Sequence, residues 1–156
     1  MVMSFEKTVQ HPLRLERASK TDVRTQFAAL CWRINKDKVQ VCLVTSRTNH
    51  RWIIPKGWPI DGKTPAQCAE IEAWEEAGVK GKVDTRSLGL FSYIKPYDDT
   101  KLPCIALVFP LKVKSVSTKW PEGSERRRKW VSRKKAAKMV DDRELGNLIL
   151  AFDPRS

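Results

Sequence analysis

Apolar positions along this chain come in short runs separated by polar turns, and the runs become regular from Thr25 onward. The segment 26–34 (QFAALCWRI) reads as a strand, 35–38 as a polar turn, and 39–44 (VQVCLV) as the returning strand of a hairpin. Residues 52–54 (WII) form a short strand that Pro55-Lys56-Gly57 ends. A loop rich in Gly and Pro, 57–63, leads into a helix predicted over 65–77. Thr64 is placed to cap it, Pro65 suits its first position, Gln67 completes a capping box, and Gly78 stands where a C-terminal cap belongs. Segments 87–94 and 103–113 read as strands on either side of a polar loop, 95–102. The stretches 131–140 and 143–151 read as helices. Residues 1–22 lack periodicity and are expected to be a loosely ordered tail ahead of one domain over 23–156. Strands, a helix, strands and then helices predict an α/β layered domain, with helices packed on a mixed sheet.

Composition agrees with one packed core. The 156 residues are 41% hydrophobic and include six Trp and five Phe, which argues against disorder of the whole chain. No apolar run approaches the roughly 20 residues of a membrane span, and the first 20 residues lack the apolar centre of a secretory signal. Cys31, Cys42, Cys68 and Cys104 are widely spaced and sit in apolar or helical patterns. They read as reduced core thiols rather than a zinc site, and a cytoplasmic location with no membrane partner is expected.

Charge narrows the partners. The net charge is +12, which favours nucleic acid, anionic lipid surfaces or polyphosphate ligands. Much of it lies in 119–138, with nine Lys or Arg against Glu122 and Glu125, and Arg126-Arg127-Arg128-Lys129 is its densest run. Three readings compete for this stretch: a solvated loop and helix face, a wall of a polyphosphate site, or a nucleic-acid contact. No helix-turn-helix, zinc-finger or RNA-recognition signature accompanies it.

The chemistry concentrates on the helix over 65–77. At about 100° per residue, Glu75 and Glu76 lie about 60° and 40° to either side of Glu72, so three carboxylates share one stripe. Ala69, Ala73 and Ala77 form a second stripe, small enough to lie close against a sheet. Like charges at this spacing repel, and acids near a helix C-terminus oppose its dipole. A hard divalent cation such as Mg²⁺, which takes oxygen ligands, reverses both penalties. A solvated acidic face is the ordinary alternative for the carboxylates alone.

The flanking glycines change that balance. Gly57, then Glu72-Ala73, Glu75-Glu76 and Gly78-Val79 stand at the spacing of the Nudix box, and the segment resembles that motif. Arg51-Trp52-Ile53-Ile54-Pro55-Lys56-Gly57-Trp58 resembles the entry found in the branch that includes diadenosine- and diphosphoinositol-polyphosphate hydrolases. The likeness in element order covers about residues 24–152, and it is specific in sequence over 46–79. Two positions depart: Ile71 stands where the box has arginine, and Lys63 where its spacer has glutamate. In the family those two side chains pair, so losing both leaves no orphaned charge.

The resemblance implies a Nudix-like α/β/α sandwich that hydrolyses a phosphoanhydride bond with Mg²⁺ or Mn²⁺. It implies Glu75 and Glu76 as principal metal ligands, Glu72 as a further ligand or the base that deprotonates water, and the Gly57 carbonyl as another ligand. Glu72 and Glu75 are thus the expected catalytic pair. Arg47, Arg51 and Lys56 are candidate phosphate contacts or plain surface cations. Trp58, Tyr93 or Tyr97 could stack on a base, and Asp98 or Asp99 could supply an outside acid, though core packing and a solvated turn are the commoner fates. His11 and His50 are assigned no role. The expected partner is a small polyphosphate bound by a monomer or homodimer. A nucleotide- or RNA-binding module with an inactive box is the rival reading.

Overall fold

The computed structural model describes residues 23–97 and 100–155. Its elements run β1 (Arg24–Asn35), β2 (Lys38–Thr45), β3 (Trp52–Ile53), β4 (Lys56–Gly57), α1 (Pro65–Ala77), β5 (Val79–Val83), β6 (Gly89–Tyr97), β7 (Thr100–Val116), β8 (Arg128–Ser132), α2 (Arg133–Met139) and α3 (Arg143–Ala151). All strands join one mixed sheet. Its main path is β3-β2-β1-β7-β5, with β4 on β1, β6 on β7 and β8 on β2. The β1–β7 pairing is parallel, running from Arg24↔Cys104 to Trp32↔Lys112, and the other pairings are antiparallel.

Strand β1 shows why helices cover both faces. Successive strand side chains point to opposite sides. Phe27, Ala29 and Cys31 join Phe109, Leu111 and the α1 alanines in one core. Ala28 and Leu30 join Val41, Leu43, Val108 and the apolar side of α2 and α3, including Ala136, Leu145 and Ile149, in the other. The expected α/β/α sandwich is therefore the fold, and β1 is buried on both sides.

Helix α1 begins and ends where the capping chemistry puts it. The Thr64 hydroxyl accepts the Gln67 amide at 3.1 Å, and the Gln67 side chain accepts the Thr64 amide at 2.9 Å. Gly78 closes the helix at φ 67°, a left-handed turn that glycine adopts at no steric cost. Ala69, Ala73 and Ala77 are fully buried, so the small-residue stripe is the side laid against the sheet.

Three short strands escape the hydrophobic pattern. β4 has two residues, β5 follows the helix cap directly, and β8 occupies the start of the stretch expected to be helical from Val131. There Ser132 caps α2 by accepting the Lys135 amide at 3.1 Å, so that helix starts at Arg133 and the residues before it pair with β2. The four cysteines are free and buried. Among the described residues no helix is long and apolar enough to cross a membrane.

The tight seat of α1 yields a test. Ala73→Leu forces a larger side chain into a filled interface and is expected to lower stability by about 1–3 kcal/mol. The measurement is urea denaturation, read as a lower midpoint at unchanged slope.

Candidate active site

The motif is assembled around the middle of β1. β4 pairs with it antiparallel through Phe27↔Gly57 and Ala28↔Lys56, and the Ala29 amide donates to the Pro55 carbonyl at 3.0 Å. Gly57 is thereby fixed opposite α1. A methyl group at Gly57 would collide with the Glu72 carboxyl group. Only glycine leaves the space that Glu72 occupies, which gives the first residue of the motif a steric reason for its identity.

Glu72 and Glu76 come together in a cavity of about 320 Å³, whose walls also include Gln26, Lys56, Lys95, Glu122 and Arg126. Burial raises the Glu72 pKa to about 8, with further upward pressure from Glu76, Glu122 and Glu75. Burial also raises Glu76, opposed by Arg126 and Lys56. Without a cation the two carboxyl groups share a hydrogen bond, so one of them holds a proton. Glu76 is the more enclosed, at 7% exposure. Its Oε1 accepts the Lys56 amide at 3.3 Å, and its Oε2 lies 3.3 Å from the Arg126 guanidinium.

Glu75 does not line this cavity. The 100° step between neighbours turns it away once Glu76 faces inward, and it reaches Glu72 only as a nearby charge. Among the described residues no three acidic, His or Cys side chains form a ready-made metal cage. The donor set nonetheless suits a hard cation: the half-buried Glu72 and buried Glu76 carboxyl groups, with the Glu122 carboxylate lining the same cavity. Mg²⁺ keeps several waters and needs few protein ligands, so Glu72 and Glu76 could hold it with substrate phosphate completing the shell.

The expected cations divide. Lys56 lines the cavity with its ammonium 5.0 Å from the centre of the Tyr93 ring, and burial lowers its pKa to about 8. Arg47 also lines the cavity but is exposed, and it pairs with Glu125 at 3.3 Å. Arg51 pairs with Asp141 at 3.6 Å and is not among the lining residues. Trp58 lines the cavity. Asp98, Asp99, His11 and the Tyr97 side chain lie outside the described residues.

The densest basic run divides between two of its three readings: Arg127 and Lys129 are exposed, whereas Arg126 lines the cavity and Arg128 is half-buried. Arg126 is buried. The Arg128 guanidinium donates to the Ala77 carbonyl at 2.7 Å and to the Ser117 carbonyl at 2.8 Å. Together with its neighbours it closes the end of α1. The Glu122 amide donates to the Glu75 carbonyl at 3.0 Å, and the Trp120 indole to the Glu76 carbonyl at 3.0 Å. Carbonyls that a helix end leaves without partners are thus satisfied one after another by segment 117–128. Lys134, Lys135 and Lys138 remain exposed on α2.

Glu122 and Arg126 are site residues that the sequence reading did not single out. The signal was the break in charge, two glutamates placed just ahead of an arginine run, but nothing in the spacing tells an inward arginine from an outward one. A larger cavity, about 500 Å³, opens beside Trp32, Asp84, Lys112 and Phe152. It holds one acidic residue and lies apart from the motif, so it offers no comparable chemistry.

Comparison with known proteins agrees with this geometry. The chain matches the NUDIX domain over residues 24–150. It is 32% identical over 110 residues to "Nudix hydrolase 13, mitochondrial" of Arabidopsis thaliana, covering 67% of this chain and 54% of that protein. It is 33% identical over 119 residues to mouse "Diphosphoinositol polyphosphate phosphohydrolase 3-alpha", covering 75% and 69%. The chain spans little more than half the length of the plant relatives, 54% and 62% for two of them. A crystal structure of Caenorhabditis elegans Ap4A hydrolase superposes with TM-score 0.60 at 19% identity, over 83% of this chain and 95% of that one, a likeness of fold.

Elevated carboxyl pKa values carry a stability signature. In the metal-free protein the folded state keeps a proton on Glu72 that the unfolded chain has released between about 4.5 and about 8. Stability is therefore present in full below that window and is lost as pH rises through it. Denaturation of the metal-free chain from pH 5 to 8.5 is expected to show this decline, and Glu72→Gln to flatten it.

Proposed function

The chain belongs to the Nudix family, and on that premise we propose that it is a metal-dependent pyrophosphohydrolase whose substrate is a compact polyphosphate, of the dinucleoside polyphosphate or diphosphoinositol polyphosphate type. The observation that carries the reading is the meeting of Glu72 and Glu76, two buried carboxyl groups with raised pKa, against Gly57. When bound, Mg²⁺ or Mn²⁺ would supply a water of lowered pKa and offset the charge that builds on the bridging oxygen.

The protein's own groups have separate tasks in this reading. Glu76 and Glu72 hold the cation, with the Gly57 carbonyl and Glu75 as the remaining motif candidates. Glu72 serves either as a further ligand or as the base that takes the proton of the attacking water, since a bound cation would release the proton that burial holds on it. Lys56 and Lys95, which line the same cavity, meet substrate phosphates. Arg47 reaches the same mouth from the surface, whereas Arg51 contributes only if it leaves Asp141.

A polyanionic substrate is further supported by β1. Gln26 lines the cavity and has a buried side-chain oxygen without a hydrogen-bond partner. Arg24, two residues earlier on the same face, is 3% exposed, and among the described residues its three guanidinium nitrogens have no hydrogen-bond partner. A buried guanidinium left unpaired is costly, and an anionic ligand group would relieve that cost. All these groups come from one chain, so a monomer suffices, though a homodimer would serve equally. Free, buried cysteines fit a reducing compartment such as the cytoplasm. The plant relatives carry mitochondrial names, so fluorescent tagging of the full-length protein is the appropriate check.

The exposed lysines of α2 favour one alternative, an RNA-binding module that does not turn over. The two separate cleanly. Hydrolysis of dinucleoside polyphosphates to two nucleotides, of nucleotide sugars to a nucleoside monophosphate and a sugar phosphate, or of diphosphoinositol polyphosphates with release of phosphate, followed by chromatography of the products, is expected for at least one of these classes with Mg²⁺ or Mn²⁺. Glu72→Gln or Glu76→Gln should reduce kcat about 100-fold or more with the fold intact. No turnover in any of these, together with tight RNA binding that weakens steeply with salt, would establish the module instead.

A further inference from the structure

Arg126 has more partners than a surface cation needs. Its side chain is 6% exposed. Its Nη1 donates to the Thr45 carbonyl at 2.9 Å, and its Nε and Nη2 each lie 2.8 Å from Oε1 of Glu122. The loop is tied down on either side of it. The Arg127 amide donates to the Thr45 hydroxyl at 2.8 Å, and the Thr45 amide to the Arg127 carbonyl at 3.0 Å. With three sides of the guanidinium spoken for, Nη2 still faces Oε2 of Glu76 at 3.3 Å.

Glu76 is consequently gripped at both oxygens, by the Lys56 amide on one and Arg126 on the other. Both grips come from outside α1. The helix itself offers no cation to its acidic end, because Ile71 is apolar and its last turn carries no basic residue. Charge has to reach Glu76 from elsewhere in the fold, and Arg126 is the buried arginine that brings it.

We propose that Arg126 is a positioning residue for metal binding: held by Thr45 and Glu122, it fixes the Glu76 carboxylate at the angle that lets Glu72 and Glu76 share one divalent cation. It brings to Glu76 the positive charge that Ile71 and the last turn of α1 do not supply. It does not touch the reacting phosphorus and acts through Glu76. The inference rests on the metal-site reading above. The opposite role, a placeholder that occupies Glu76 until the metal arrives and then swings away, would require the guanidinium to break its bonds to Thr45 and Glu122.

The sign of one measurement separates these roles. Mn²⁺ affinity of the full chain is measured by calorimetry or electron paramagnetic resonance for wild type, Glu76→Gln, Arg126→Met and Arg126→Lys, with melting temperature alongside. Arg126→Met is expected to weaken Mn²⁺ binding about 10-fold or more, the usual size of an outer-shell effect. Arg126→Lys keeps the charge without the planar fork and is expected to fall between Met and wild type. With substrate, the loss is expected in kcat more than in KM. Equal or tighter Mn²⁺ binding in either Arg126 variant overturns the proposal. If Arg126→Met does not fold, Arg126→Lys decides alone. Absence of Glu76-dependent Mn²⁺ binding in the wild type would instead overturn the metal-site reading itself.

Discussion

The structure turns on how one helix end tolerates acid. A helix presents partial negative charge at its C-terminus, through carbonyls that have no amide to follow them. α1 adds Glu72, Glu75 and Glu76 to that end and has no basic residue in its last turn. Left alone, such a terminus would fray, and segment 117–128 prevents that. An amide, an indole and a guanidinium take the carbonyls of Glu75, Glu76 and Ala77 in order. Arg128 also lies 4.2 Å from the centre of the Trp120 ring, so two of the three donors support each other.

This arrangement explains why so basic a segment lies beside so acidic a motif. Each group would be costly alone: buried carboxylates lose solvation, and a buried arginine needs a partner. Set against each other they become mutually necessary. Arg126 lowers the pKa that burial raises at Glu76, and Glu76 with Glu122 gives Arg126 its reason to be inside. The compensation is partial by construction. Among the described residues no cation stands in the same way beside Glu72, and burial with the neighbouring acids raises its pKa to about 8.

Much of this was legible before any coordinates. The capping box at Thr64 and Gln67, and the glycine at 78, mark α1 to the residue, because caps are local chemistry with few alternatives. The order of elements predicted helices packed on a mixed sheet, and the alanine stripe predicted the side of α1 that lies against it. The small strands were hidden for a physical reason: a two-residue β4 has no period, and β5 (VKGKV) and β8 (RKWVS) are five residues long and carry glycine or charged residues, too few apolar positions to show an alternation. Register and inward turning are set by tertiary contacts. The sequence reading therefore placed the acids on one stripe but could not see that the cavity admits Glu72 and Glu76 while Glu75 faces elsewhere.

The absence of the motif's arginine-glutamate pair has a similar explanation. That pair lies within the motif, so its loss looks at first like decay. In this fold Lys63 is exposed and Ile71 half-buried, and neither leaves a charge stranded inside. Meanwhile a cation reaches Glu76 from a strand-side loop some fifty residues later in the chain. A carboxylate responds to the field at its oxygens and not to the sequence distance of the group that produces it. Judging such a site by its local motif alone would score the missing arginine and overlook the one that folding delivers.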